Sequence, residues 1–472
     1  MSSPNSLALG LDPYLEVDNP QVGDGNAAKR LAECVAALRA GASSLNAVVA
    51  VDLKRAFAEC ARLDEMARAG HSCGPLHGMP MVVKDNIDVA GLPTTNGSAT
   101  HGGQPATDDA EVVRRLRSAG AVIFGKTNMD ELALGVTSSN GRYPRALHAW
   151  RPDRIPGGSS GGSAVALASG VAEAALGTDT AGSARTPAAF NGIVGLRPTV
   201  GSLSTDGVVP LSTMFDTVGP MARNAETVRQ LFVAMAQPAS LRASTRLDRY
   251  PRFDVPAPLT GLRIGIFERY FFDGASPEVA AAVRSAIDVL TALGAVPVEI
   301  SITGVETTQR QLSKIMLRDA YLTYRDLIDV EESLVHPIVR ERVSLGRDVT
   351  DADYAAAVAD KKQWTNRVRD TFSSVHLILV PTSPVVAPRL VTSGNALGAV
   401  QNVTQFTFPW SLAGVPALSV PCGMSSDLPV GMQLVGPHGS DLPLTHIASL
   451  YEHQTLWNQD FEKIKHRPAS PR

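Results

Sequence analysis

Only four cysteines, Cys34, Cys60, Cys73 and Cys422, occur in 472 residues, and they are scattered without metal-ligand spacing. That argues against a disulfide scaffold or a zinc site and suits free thiols in a reducing, cytoplasmic setting. Long hydrophobic runs are missing too. No stretch of about 18 uncharged apolar residues appears, which argues against a membrane span. The stretch from Met1 to Asn19 carries Asp12, Glu16 and Asp18 and no basic segment, so it does not read as a signal peptide. Neither sign of charge dominates. Forty-three Lys+Arg face 46 Asp+Glu, a net of −3, which leaves no basic footprint for nucleic acid.

What is present is a wealth of small residues on an apolar background. The 40 glycines and 32 prolines sit between periodic segments rather than in a low-complexity tract, so they punctuate a folded chain. With 44% hydrophobic residues the chain can bury a large core. Helical spacing of Ala27, Leu31, Val35 and Leu38 follows a candidate cap at Asp24. Asp108 and Glu111 resemble a capping box before Val112, Val113 and Leu116, with Gly120 as the stop. Strands are expected at Met79 to Val83, Ala121 to Phe124, Leu262 to Phe267, Ala295 to Ile300, Leu377 to Val380 and Ala417 to Val420. Helices are expected over Pro277 to Leu293, Gln309 to Val330 and Asp351 to Arg369, and the unperiodic stretch Gln237 to Pro258 reads as a linker or surface crossing. This alternation points to an α/β layer architecture.

Two motif matches fail on context. Gly120 to Thr127 fits the phosphate-loop pattern, but its four central residues are the strand itself rather than a loop opening a helix. Gly158-Ser-Ser160-Gly-Gly162 fits a nucleophile elbow, yet Arg151 to Gly157 before it cannot be the central strand that an elbow requires.

Three segments survive. Lys84 closes the apolar run Met79 to Val83. The plain reading has it bend outward to pair with Asp85 or Asp88; the alternative is a desolvated lysine acting as a base. Pro156-Gly-Gly-Ser159-Ser160-Gly-Gly-Ser163 leads into a helix, which weakens its reading as a flexible linker and favours a turn aiming N–H and hydroxyl groups into a pocket. Thr178-Asp-Thr180-Ala181-Gly182-Ser183 reads as a strand followed by a tight turn, then a helix start near Pro187. Such a turn presents consecutive N–H groups to a carbonyl oxygen. Each segment alone is as readily structural as functional.

Together they resemble the amidase signature family. The resemblance rests on Gly74 to Ser98, on Asp109 to Ala133, and on a Gly-Gly-Ser-Ser-Gly-Gly-Ser block that precedes Ser183 at the family's spacing. It rests also on Val380-Pro-Thr-Ser-Pro, Asn402 to Gly414 and Leu428 to Gln433. It spans about residues 25 to 460 and weakens between about 305 and 370. It implies one domain over 1–472 with a central mixed β-sheet covered by helices on both faces (α/β/α). Residues 25–235 would carry the motifs, and 305–370 would form a variable helical cover.

For chemistry, the resemblance implies that Ser183 is the nucleophile, Ser159 a bridging serine and Lys84 the base, with a cis Gly158–Ser159 peptide. Backbone N–H groups of Thr180, Ala181, Gly182 and Ser183 would hold the oxyanion, each donor worth about 3 kcal/mol in other hydrolases. A lysine can replace histidine here, because neutral Lys84 can take the serine proton through the Ser159 hydroxyl, which donates and accepts at once. The implied reaction is hydrolysis of a small-molecule amide, without metal or cofactor and without nucleic-acid or membrane partners. A homodimer is plausible from the family but visible in no pattern of the sequence.

Asn140 to Trp150 departs from the family pattern, so no substrate contact carries over there. Thr178 to Ser183, Pro187 to Asn191 and Leu203 to Pro210 are locally similar to the amidase domain of allophanate hydrolases, which suggests a ureide substrate. Two alternatives stand beside it: the glutaminase subunit of a tRNA-dependent amidotransferase, and a non-catalytic binding protein on the same fold.

Overall fold

The computed structural model describes residues 25–40, 42–101, 103–244, 259–330, 334–390 and 402–455. Eleven strands form one sheet. They are β1 (Val48–Val51), β2 (Pro80–Lys84), β3 (Val122–Thr127), β4 (Ala174–Asp179), β5 (Val194–Arg197), β6 (Thr217–Ala222), β7 (Arg263–Ile266), β8 (Val296–Glu299), β9 (Leu377–Pro381), β10 (Ala417–Ser425) and β11 (Leu428–Val435). The spatial order is β1-β3-β2-β4-β6-β5-β10-β11-β9-β7-β8. Two parallel runs, β3-β2-β4 and β9-β7-β8, are joined by antiparallel pairs, so the sheet is mixed.

The strands β2, β3 and β4 are buried along their whole length, as expected of parallel strands covered on both faces. Side chains alternate between two cores. Met81, Val83 and Ile123 enter the larger cluster, whereas Val82, Val122 and Phe124 enter the smaller one. Helices α1 (Asn26–Arg39), α2 (Leu53–Arg68) and α4 (Gly161–Ala168) pack in the smaller core; α3 (Glu111–Ser118) joins the larger. The short α5 (Arg185–Asn191) follows the turn after β4. Beyond it come α6 (Ala225–Met235), α7 (Pro238–Ser244), α8 (Pro277–Ala292), α9 (Thr308–Ile328), α10 (Pro337–Ser344), α11 (Asp351–Thr371), α12 (Phe408–Ala413) and α13 (Asp441–His453). The α/β architecture with helices on both faces is therefore present.

Local details differ from the sequence reading. Asp24 lies outside the described residues, and α1 is capped from elsewhere. Asp64 on α2 accepts the N–H groups of Ala27 (2.8 Å) and Ala28 (3.1 Å). The Asp108–Glu111 capping pair does not form. Ala110 occupies the N-cap with no side-chain cap, and Glu111 instead pairs with Arg114 and Arg115 along its own helix. Strand β3 runs on through Gly125-Lys126-Thr127, so the residues that completed the phosphate-loop pattern are ladder residues. Most of the Gln237 to Pro258 stretch lies outside the described residues; its start forms α7.

The parallel register places Lys84 opposite Thr127 and Val83 opposite Leu176, so Lys84 and Thr178 emerge at the same carboxyl edge of the sheet. That edge is where open α/β sheets bind ligands.

The Asp64 cap yields a prediction about the fold alone. Asp64→Ala should lower unfolding stability by about 1–2 kcal/mol, the cost of losing an N-terminal cap. A urea-denaturation midpoint unchanged from the parent would contradict this role.

Candidate active site

Lys84 is fully buried at the end of β2. It does not bend outward toward Asp85 or Asp88. Its Nζ donates to Ser159 Oγ (2.8 Å) and Thr178 Oγ1 (2.7 Å), and Asn86 donates to the same threonine oxygen (3.2 Å). Asp85 takes a different partner. Its carboxylate lies 3.5 Å from the equally buried Lys126 and accepts N–H groups from Thr95 and Gly97. Burial pushes the Lys84 ammonium down to about 7, against the upward pull of the Asp130, Asp179 and Asp216 carboxylates. A neutral amine at neutral pH is therefore available beside a serine hydroxyl.

Ser159 is buried, and the Gly158–Ser159 peptide is cis. Ser160 is held away from the cleft. Its hydroxyl bonds the Thr178 carbonyl and accepts the Thr178 N–H, and its own N–H donates to the Ser183 carbonyl (3.1 Å). These bonds tie the Gly/Ser segment to the β4–α5 turn that carries Ser183.

The turn is shaped by Asp179, which has no exposed surface. It accepts N–H groups of Gly182 (2.8 Å) and Ala184 (3.2 Å) and pairs with Arg185 (3.0 Å) and Arg197 (3.2 Å). Burial alone would raise its pKa; the two guanidiniums overcome that and hold the carboxyl well below the usual range. Gly182 has φ +128°, and a Cβ there would fall 2.2 Å from Thr407 Oγ1, so the position requires glycine. One expectation changes as a result. The Gly182 N–H is taken up by Asp179, whereas the N–H groups of Thr180, Ala181 and Ser183 have no acceptor among the described residues. Thr180 is oriented by its hydroxyl, which donates to Asp216 (2.6 Å).

Ser183 is half-buried and lines a narrow cleft with Gly158, Thr180 and Ala181. One wall is Ala133 to Val136, turned into place by successive left-handed residues, Leu132 (φ 53°) and Ala133 (φ 58°). Such backbone is uncommon outside glycine and clusters at functional sites. Leu211, Met316, Arg342, Thr404 and Phe408 complete the lining. Met316 and Arg342 come from α9 and α10, in the region where the family resemblance weakens.

No cleft-lining residue comes from 140–150. That segment buttresses instead: Asn140 donates to Asn128 and the Met129 carbonyl, and Trp150 donates to the Asn191 carbonyl. The sequence reading also missed Thr178 and Arg342 as site residues. Thr178 lies inside a family motif, but no spacing rule links it to a lysine 94 residues earlier. Arg342 carried no local signal at all.

Comparisons with known proteins find relatives along most of the chain. The amidase family model matches residues 30–444. A glutamyl-tRNA(Gln) amidotransferase chain of Chloroflexus aurantiacus is 35% identical over 461 residues, covering 92% of this chain and 95% of the relative. A crystallised amidase is 32% identical with a TM-score of 0.80, covering 95% of this chain and 99% of its own. The peptide amidase from Stenotrophomonas maltophilia is 31% identical with a TM-score of 0.76, over 91% of this chain and 93% of its own. With the motifs, the sheet and the family model matching over most of its length, this chain belongs to the amidase family.

Proposed function

We propose that this protein hydrolyses the carbon–nitrogen bond of a small carboxamide or carbamoyl compound through an acyl-enzyme on Ser183. The observation that carries the reading is the contact of buried Lys84 with Ser159, whose neighbour Gly158 lines the same cleft as Ser183. Ser183 Oγ attacks the carbonyl carbon as its proton passes to Ser159 Oγ, and the Ser159 proton passes to Lys84 Nζ. The N–H groups of Thr180, Ala181 and Ser183 stabilise the oxyanion. Collapse of the tetrahedral intermediate expels the nitrogen, which takes a proton back from Lys84 through Ser159. Water then releases the acid by the same relay. No metal or cofactor enters these steps.

Arg342 narrows the substrate. It lines the cleft, and its guanidinium makes no ion pair or hydrogen bond with any described residue. A carboxylate on the acyl portion of the substrate would satisfy it. The curated relatives, named as components of glutamyl-tRNA(Gln) amidotransferases, favour glutamine as that substrate and a partner chain that uses the ammonia. A second reading rests on the lining itself. No carboxylate is among the described cleft residues, so the α-ammonium of glutamine would lack an ionic partner. That favours a carboxylated ureide or a dicarboxylic acid monoamide, and release of ammonia without a partner chain.

Three measurements bear on this reading. A fluorophosphonate probe should label Ser183, and Ser183→Ala should lose both labelling and turnover; full turnover in that variant would sink the assignment. The acid limb of kcat/KM should fall near pH 7, because activity requires neutral Lys84, and Lys84→Met should reduce kcat to background at every pH. Finally, Arg342→Gln should lower kcat/KM about 10- to 150-fold on glutaramate, the loss expected for a charged hydrogen bond, and leave butyramide within about threefold. In the parent enzyme, glutaramate turned over faster than glutamine supports the second reading, and the reverse order supports the glutaminase reading.

A further inference from the structure

Asp130 is a buried carboxylate that the relay above does not use. It sits on the loop leaving β3, and its backbone N–H donates to the Ser159 carbonyl (3.3 Å). The two carboxylate oxygens differ. Oδ1 accepts the N–H groups of Thr137 and Ser139 (3.2 Å each) and the Thr137 hydroxyl (3.3 Å). Oδ2 is buried without a hydrogen-bond partner. An unpartnered carboxylate oxygen in the interior is costly, and its persistence calls for an explanation in the site.

Its surroundings supply one. A Cβ on Gly158 would fall 1.9 Å from Oδ2, so glycine at that position lets the carboxylate press against the backbone that presents Ser159. A Cβ on Gly135 would fall 2.2 Å from Oδ1 on the other side. The carboxylate is thus fixed from both sides, with its free oxygen beside the Gly158 backbone.

Three carboxylates act on Lys84: Asp130, Asp179 and Asp216. Asp179 is balanced by Arg185 and Arg197. Asp216 is engaged by the Thr180 hydroxyl and the N–H groups of Leu211 and Ser212, with Arg197 also acting on it. Asp85, next to Lys84 in sequence, faces Lys126. Glu131, next to Asp130, is bound by the Ser98 hydroxyl and the His336 N–H. Asp130 itself has no arginine in contact, and the charged groups that act on it electrostatically are Lys84 and, from α10, Arg342.

We propose that Asp130 is a positioning residue for Lys84, a fixed counter-charge for the ammonium that forms when the serine proton arrives. The inference rests on the acyl-enzyme reading above. As Ser183 Oγ bonds to the carbonyl carbon, the transferred proton leaves a positive charge on Lys84 and a negative one on the oxyanion. The turn N–H groups meet the second charge, and Asp130 meets the first. The role parallels that of a buried aspartate behind a catalytic histidine, which stabilises the cation without taking its proton. Burial raises the Asp130 carboxyl to about 6 against the N–H groups of residues 137–139 and the charge of Lys84, so above neutral pH it is available in ionised form.

Asp130→Asn tests this, since the amide keeps an acceptor for the 137–139 donors and removes only the charge. Without the carboxylate the ammonium is less favoured. The acid limb of kcat/KM on a primary amide should therefore move down by about one pH unit. The plateau kcat should fall at least tenfold. Thr137→Val removes one donor from the carboxylate and so raises its proton affinity; with less of it ionised near neutral pH the limb should again move down, which supplies the test if Asp130→Asn does not fold. An unmoved limb in Asp130→Asn, or an unmoved limb in Thr137→Val where that variant stands alone, overturns the proposal. Failure of the underlying reading looks different: Ser183 would escape fluorophosphonate labelling, or the parent's acid limb would not fall near pH 7.

Discussion

Asp179 closes β4 with no exposed surface, and two equally buried arginines lie within 3.0 and 3.2 Å of its carboxylate. Removing one member of such a group strands a buried charge at a cost of about 3–5 kcal/mol, so the three residues stand or fall together. Their remaining bonds reach much of the molecule. Arg185 donates to the Thr407 carbonyl, the Gln433 side chain and the Ser411 hydroxyl, while Arg197 donates to the Phe215 carbonyl. The turn that carries Ser183 is thereby pinned to the segment entering β6, to α12 and to β11 at once. Its free N–H groups are free because Asp179 has drawn the neighbouring ones inward.

The same economy of small groups explains why a lysine can end a fully buried strand. A charged amine in that place would be costly unless its proton could leave or its charge be met. Both occur around Lys84: desolvation lowers its proton affinity, and hydroxyl oxygens of Ser159 and Thr178 accept its hydrogen bonds. Glycines make the approach feasible. At Gly177 a Cβ would fall 2.7 Å from Ser160 Oγ, and at Gly162 it would fall 2.4 Å from the Asn128 carbonyl. The small-residue composition from Pro156 to Gly195 is therefore a packing requirement, with backbone from several segments converging where side chains would collide.

How much of this could be read from the sequence depended on where the determining contact lay. Two strand cores were plainly legible, since β2 and β9 owe their positions to unbroken apolar runs. The end of β3 was not, because Lys126 reads as a surface residue until Asp85 is placed beside it across the sheet. Helix caps failed for a related reason. The N-terminus of α1 is satisfied by Asp64 from another helix, and local sequence cannot report such a partner. In the site, Lys84, Ser159 and Ser183 were legible as motif members. Asp130 was inside a family motif without a role, and Arg342 belonged to no motif. Their parts depend on three-dimensional neighbours: Gly158 for Asp130, the cleft for Arg342.

That division follows from what each part of the molecule must do. In the reading proposed above, the Lys84–Ser159 pair and the Ser183 turn would meet the carbonyl and nitrogen that any amide presents in the same geometry, and these residues come from the sheet edge and its turns. The rest of a substrate varies, and the wall that meets it includes Met316 and Arg342 from α9 and α10. These helices are anchored to the core at points away from the chemistry. Tyr324 on α9 donates to the Pro210 carbonyl, and Asp319 accepts from the Ser212 hydroxyl and Tyr354. The Ser212 N–H in turn holds Asp216, which orients Thr180. A change in the cover can thus alter which amide is held without touching the relay, provided the Asp319–Ser212 link survives. Loss of that link would reach the Thr180–Ser183 turn through two hydrogen bonds, so on the proposed reading specificity and catalysis would change together.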